Sequence, residues 1–154
     1  MAVRVQTADF DVAQEIAALR AHDPRVGAVV TFIGTVRDVN EDAHVLQMTL
    51  EHYPGMTEKA LDAIVAQARR RFDIYDGLVV HRVGELRPTD QIVLVAVTSA
   101  HRGEAFDACR FIIDYLKTEA PFWKKEQTPG GAHWVDARTA DDEAVARWKT
   151  DATT

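Results

Sequence analysis

Apolar and polar positions recur along this chain with two periods, and the changes of period divide it into elements. From about Asp11 to Ala21, Val12, Ile16 and Leu19 fall on one helical face, with Asp9 or Asp11 placed to cap it and Pro24 closing the segment. Gly27 to Val36 is β-branched and aromatic and predicts a mostly buried strand. A polar turn, Asn40 to His44, leads into Val45–Tyr53, where Leu46, Met48 and Leu50 alternate with Gln47, Thr49 and Glu51. That alternation predicts a half-buried strand antiparallel to the first.

Pro54-Gly55 breaks the strand, and Thr57 is placed to cap a helix carrying Ala60, Leu61, Ile64, Val65, Ala68 and Phe72 at helical spacing. Asp76-Gly77 turns into a strand, Leu78 to Leu86, which should form a hairpin with Ile92–Ala100 across Pro88-Thr89-Asp90. A long helix follows from about Gly103 to Glu119, with Phe106, Cys109, Ile112, Ile113 and Leu116 as its buried stripe and Pro121 at its end. A Pro/Gly-rich segment, Gln127 to Gly131, precedes a short strand, His133–Arg138, and an acidic helix from about Asp141 to Lys149. Hairpins separated by helices predict an α+β domain, mainly an antiparallel sheet with helices packed on it. Strict strand–helix alternation and Gly-x-Gly-x-x-Gly, the marks of a dinucleotide fold, are missing.

Composition narrows the function more than the fold. The 154 residues are 47% hydrophobic and 27% charged, which suits one soluble domain spanning residues 1–154, with an acidic segment at 141–154 that is expected to fray. No apolar run is long enough to cross a bilayer, and the first residues lack the apolar centre of a signal peptide, so a cytoplasmic protein without membrane attachment is expected. The net charge of −6 argues against a general nucleic-acid binder. Any anion must be handled by a few basic side chains gathered locally. The single cysteine, Cys109, forms no internal disulfide and reads as core packing, and no Cys/His spacing suggests a metal site. Ser99 is the only serine and lacks a Gly-x-Ser-x-Gly setting.

Three segments combine polar groups with positions where they are costly or useful. Arg37 follows a buried strand that contains Gly34, and reads either as a solvated arginine or as a ligand contact. His101 and Arg102 stand where a strand gives way to a helix N-terminus, a place that favours an anion and disfavours two cations. They either splay into solvent or share an anionic ligand. Lys117 lies in the last helical turn, where a lysine also stabilises free carbonyls. Beyond it, Pro121-Phe122-Trp123 sets Lys124 and Lys125 beside aromatic walls, which would make a desolvated lysine usable as acid, base or nucleophile. His52 and His81 read as satisfied strand residues, and Trp123, Trp134 and Trp148 as packing anchors.

In order along the chain, Phe32-Ile-Gly-Thr-Val-Arg37, Leu50-Glu-His-Tyr-Pro-Gly-Met-Thr-Glu-Lys-Ala60, His81-Arg-Val-Gly-Glu85, Thr98-Ser-Ala-His-Arg102, Asp114-Tyr-Leu-Lys-Thr118 and Ala120-Pro-Phe-Trp-Lys-Lys-Glu126 resemble the large, catalytic subunit family of molybdopterin synthase. The resemblance implies an α/β-hammerhead fold and a homodimer of large subunits within a 2+2 heterotetramer. In it, a small ubiquitin-like partner carries sulfur as a thiocarboxylate on its Gly-Gly tail. It also implies a sulfurtransferase that moves two sulfurs onto cyclic pyranopterin monophosphate, with no cofactor of its own. By position, Lys117 and Lys124 correspond to catalytic lysines. Arg37, His101 and Arg102 correspond to a phosphate pocket, and Thr35, Val36, Lys125 and Glu126 to substrate-contacting segments. Part of that pocket would come from the neighbouring subunit. The competing reading is a non-catalytic module that binds a phosphorylated metabolite.

Overall fold

The computed structural model describes residues 2–40, 43–135 and 139–151. In chain order the elements are β1 (Ala2–Gln6), α1 (Val12–Arg20), β2 (Ala28–Thr35), β3 (Val39–Asn40), β4 (Ala43–His44), β5 (Gln47–His52) and α2 (Met56–Arg71). There follow β6 (Asp76–Arg82), β7 (Gly84–Leu86), β8 (Gln91–Ser99), α3 (Arg102–Glu119), β9 (Phe122–Thr128), β10 (Gly131–Trp134) and α4 (Thr139–Asp151). One sheet has the order β1-β6-β8-β2 and a second β10-β9-β5-β7, with β3 and β4 forming a separate ribbon. Every described pairing is antiparallel except β1 with β6. The expected α+β class is what the chain adopts.

Both faces of the first sheet are covered, which explains the unbroken apolar runs in β6 and β8. On one face Val79, Val95 and Val97 meet Leu61, Val65 and Ala68 of α2 and Ala105, Cys109 and Ile112 of α3. On the other, Leu78, Val80, Leu94 and Ala96 pack with Phe10 and with Val12 and Leu19 of α1. A smaller cluster of Val36, Met48, Leu50, Val83 and Leu86 joins the two sheets. A cavity opens beside this junction.

Several expectations change. Residues 2–6 form a strand, with Val3 and Val5 packed against core clusters. Two valines are too short an alternation to stand out in the sequence. The stretch from Leu78 to Leu86 is two strands. Gly84, at φ 90°, takes a left-handed conformation after Val83 and carries the chain from the first sheet into the second. The β6–β8 pairing holds, but β5 pairs with β7 and β9 rather than with β2. Gly55, not Thr57, precedes α2. Thr57 is buried inside the helix, where its hydroxyl accepts from the Tyr53 N–H and donates to the Pro121 carbonyl.

Side-chain directions also differ. Phe106 is 59% exposed, and its place in the core is taken by Phe111, which packs edge-on to Phe72 and Trp148. Trp148 is the tryptophan that anchors a core, since Trp123 and Trp134 are exposed. The last expected strand ends at Trp134, and Asp136, Ala137 and Arg138 lie outside the described residues.

Candidate functional site

A cavity of about 450 Å³ lies where the two sheets meet the C-terminal half of α3. Its apolar lining includes Phe32, Met48, Leu50, Ile92, Leu116 and Phe122. Its charges come from separate elements, and local structure explains each. The β2 strand ends in a register shift between Gly34 and Thr35, so that Val36 turns inward and Arg37 follows at the rim. A Cβ on Gly34 would stand 2.9 Å from a Val93 methyl carbon, so the close approach there requires glycine. Lys117 reaches the cavity from the last turn of α3.

The segment after Pro121 is a strand, and its two-residue period sorts the remaining candidates. Phe122, Lys124 and Glu126 face the cavity, paired in register with His52, Leu50 and Met48 of β5. Trp123 and Lys125 take the opposite face. Lys125 therefore stands off this wall, its ammonium 5.7 Å from the centre of the Trp134 ring. Glu126 is buried to 2% exposure, and its carboxylate accepts a hydrogen bond from the Asn40 amide on the β3–β4 ribbon. Asp141, in the first turn of α4, contributes a second acidic group. Arg37, Lys117 and Lys124 thus share a partly apolar cavity with two carboxylates. Cations in such a setting hold an anion more strongly than they would in open water.

His101 and Arg102 occupy the other end of α3. Fifteen residues at 1.5 Å each put Arg102 about 22 Å along the helix from Lys117. His101 immediately precedes α3 and makes no side-chain capping bond; both it and Arg102 are exposed, and neither lines the cavity. Phe106, one turn on from Arg102, is exposed beside them. Six of the nine candidate residues therefore line one cavity within a single chain: Thr35, Val36, Arg37, Lys117, Lys124 and Glu126.

Two further residues at this site carry no signal in the sequence. Asn40 falls in a polar turn of the sequence, and nothing there signals that the ribbon reaches back to Glu126. His81 has the sequence setting of an ordinary strand histidine, yet it is buried, stacked on Phe122 and part of the cavity wall. Burial lowers its pKa to about 4, with the nearby charge of Lys117 and that of His52 acting in the same direction. Cys109 lies in the main core, where burial pushes its thiol up to about 12.

Comparison with known proteins adds to this geometry. Residues 5–119 match the family model described as MoaE protein. The chain is 68% identical over 146 residues to the molybdopterin synthase catalytic subunit of Ralstonia nicotianae, covering 95% of this chain and 83% of that one. It superposes with a TM-score of 0.84 on a solved molybdopterin biosynthesis MoaE protein from Burkholderia ambifaria, at 60% identity over 97% of this chain and 99% of that one. It also superposes with a TM-score of 0.80 on a solved molybdopterin synthase from Staphylococcus aureus, at 30% identity over 86% of this chain and 95% of that one.

Proposed function

The chain belongs to the MoaE protein family, and from that premise we propose that its cavity is the place where sulfur passes from a thiocarboxylated protein tail to a pterin. The chain is a molybdopterin synthase catalytic subunit by its relatives, a sulfur-transferring enzyme of molybdenum cofactor biosynthesis. The finer reading assigns roles to its residues. Lys117 and Lys124 are the catalytic lysines. As ammonium groups they pair with the thiocarboxylate and stabilise charge developing at its carbonyl; as an amine, either one moves a proton while sulfur adds to the pterin side chain. Arg37 holds the cyclic phosphate at the rim. Thr35, Val36 and Glu126 shape the pocket around the substrate, and Lys125 acts from the outer face of the same strand.

The observation that carries this reading is the convergence of Arg37, Lys117 and Lys124, from three separate segments, on one cavity in a protein of net charge −6. The donor is a small ubiquitin-like subunit whose Gly-Gly end is narrow enough to enter, and the acceptor is cyclic pyranopterin monophosphate. His101 and Arg102 complete the phosphate site from the second subunit of a homodimer, within a 2+2 assembly. Their exposure next to the exposed Phe106 supports a second chain covering this end of α3.

The test is reconstitution with thiocarboxylated small subunit and cyclic pyranopterin monophosphate, assayed for molybdopterin. Lys117→Ala and Lys124→Ala should each lower turnover by roughly a hundredfold or more while pterin binding largely survives. Full turnover by both variants would leave only a binding module.

A further inference from the structure

One polar group in the cavity wall has no part in the chemistry above. His81, in β6, is 5% exposed, and its ring lies on Phe122 with centroids 3.8 Å apart and planes 17° from parallel. Its Nδ1 is 2.8 Å from the backbone oxygen of Arg82. A carbonyl oxygen only accepts, so Nδ1 carries the proton and Nε2 carries a lone pair. Nε2 makes no hydrogen bond to any described residue. The space beside this ring is the cavity.

The surroundings keep the ring in this form. Lys117 faces it from α3 and His52 from β5, the latter 3.5 Å from the Glu58 carboxylate on α2. Lys124 stands beyond Phe122 on the β9 wall. The neighbouring Arg82 guanidinium turns away to the Thr7 and Gln91 carbonyls. Heavy burial, and after it the charge of Lys117, opposes a second proton on the imidazole.

We infer that His81 is a positioning residue whose Nε2 accepts a hydrogen bond from an N–H donor of the ligand and so sets which way round the ligand lies. The chemistry of the lone pair is selective. Phosphate and thiocarboxylate oxygens have no proton to give and are repelled by it, so they are left to Arg37, Lys117 and Lys124. An N–H entering the cavity loses its water and needs an acceptor. That donor is either a backbone amide of the incoming tail or a ring N–H of the heterocycle. The inference rests on the cavity being the sulfur-transfer site.

The test follows the ¹⁵N resonance of His81 Nε2 in histidine-labelled protein as the small subunit, with an unmodified Gly-Gly carboxylate end, or the cyclic pyranopterin is added. The resonance should move upfield with one of the two, and that one is the source of the donor. No movement at saturation with either overturns the inference. His81→Phe keeps a ring against Phe122 and should weaken binding of the same ligand roughly tenfold, while His81→Gln restores most of it through its amide oxygen. Equal losses in the two variants, or wild-type binding by His81→Phe, also overturn it. Wild-type protein that turns over with an unmoved Nε2 sinks this inference alone. Wild-type protein that binds neither ligand sinks the sulfur-transfer reading and this inference with it.

Discussion

Asn40 and Glu126 stand 86 positions apart in the chain and are joined by a hydrogen bond in which the amide donates to the carboxylate. The bond ties the β3–β4 ribbon to the inner face of β9. Glu126 is almost fully buried, and no other described side chain donates to its carboxylate. Removing the amide leaves a desolvated acid without its partner, which costs about 1–3 kcal/mol. Asn40→Ala should lower the urea midpoint accordingly and reduce turnover. Glu126→Gln keeps an oxygen to accept the bond and should cost less than about 1 kcal/mol. An Asn40→Ala protein as stable as wild type would show that the ribbon does not hold the acid.

Much of this was legible in the sequence, and the misses share a cause. The helices α2 and α3 and the strands β2, β5, β6 and β8 followed from apolar period, because each lays one face or both against a core. The strand β9 was hidden because its inward positions include Lys124 and Glu126, so charge occupies the places where the period would show apolar residues. The same two-residue period is what separates Lys124 from Lys125. Cavity residues near one another in the chain, Thr35 to Arg37, were found together. The partnerships Asn40–Glu126 and His81–Phe122 join distant segments, and nothing in one sequence announces them.

His81 also makes stability depend on pH. The native protein holds the ring neutral down to about pH 4, whereas the unfolded chain takes up the proton near 6.5. Between these values the unfolded state binds more protons, so stability is full above the upper value and falls as pH drops through the window. The loss amounts to at most ~3 kcal/mol. Denaturant unfolding of wild type and His81→Phe at steps between pH 7 and 4 should show a steeper decline for wild type. Parallel curves would show that the imidazole is protonated in the folded protein.

Sulfur need not pass through the protein's own thiol. Cys109 is 3% exposed and held in the core, with its pKa raised to about 12, so almost no thiolate exists at neutral pH. A thiol reagent should leave the native protein unlabelled and react once it is unfolded. Cys109→Ala should keep its sulfur-transfer turnover while losing about 1 kcal/mol of stability from the small cavity left behind. Loss of turnover in a folded Cys109→Ala protein would place a sulfur relay where none is expected.

The two ends of α3 raise the question of whether one chain makes a complete site. Lys117 lines the cavity and Arg102 stands about 22 Å away along the helix, so the two serve one ligand only if a second chain brings its Arg102 to the first chain's cavity. Lys117→Ala and Arg102→Ala proteins should each be nearly inactive alone. If they exchange subunits after mixing, a mixed dimer has one site that lacks both groups and one that is intact. Random assortment then restores about a quarter of the sites, read as recovered molybdopterin formation. If each site were built from a single chain, every site in the mixture would lack one group and no activity would return. Recovery that appears only after time for subunit exchange, and not on rapid mixing, identifies the shared site. Failure to recover after exchange removes His101 and Arg102 from it.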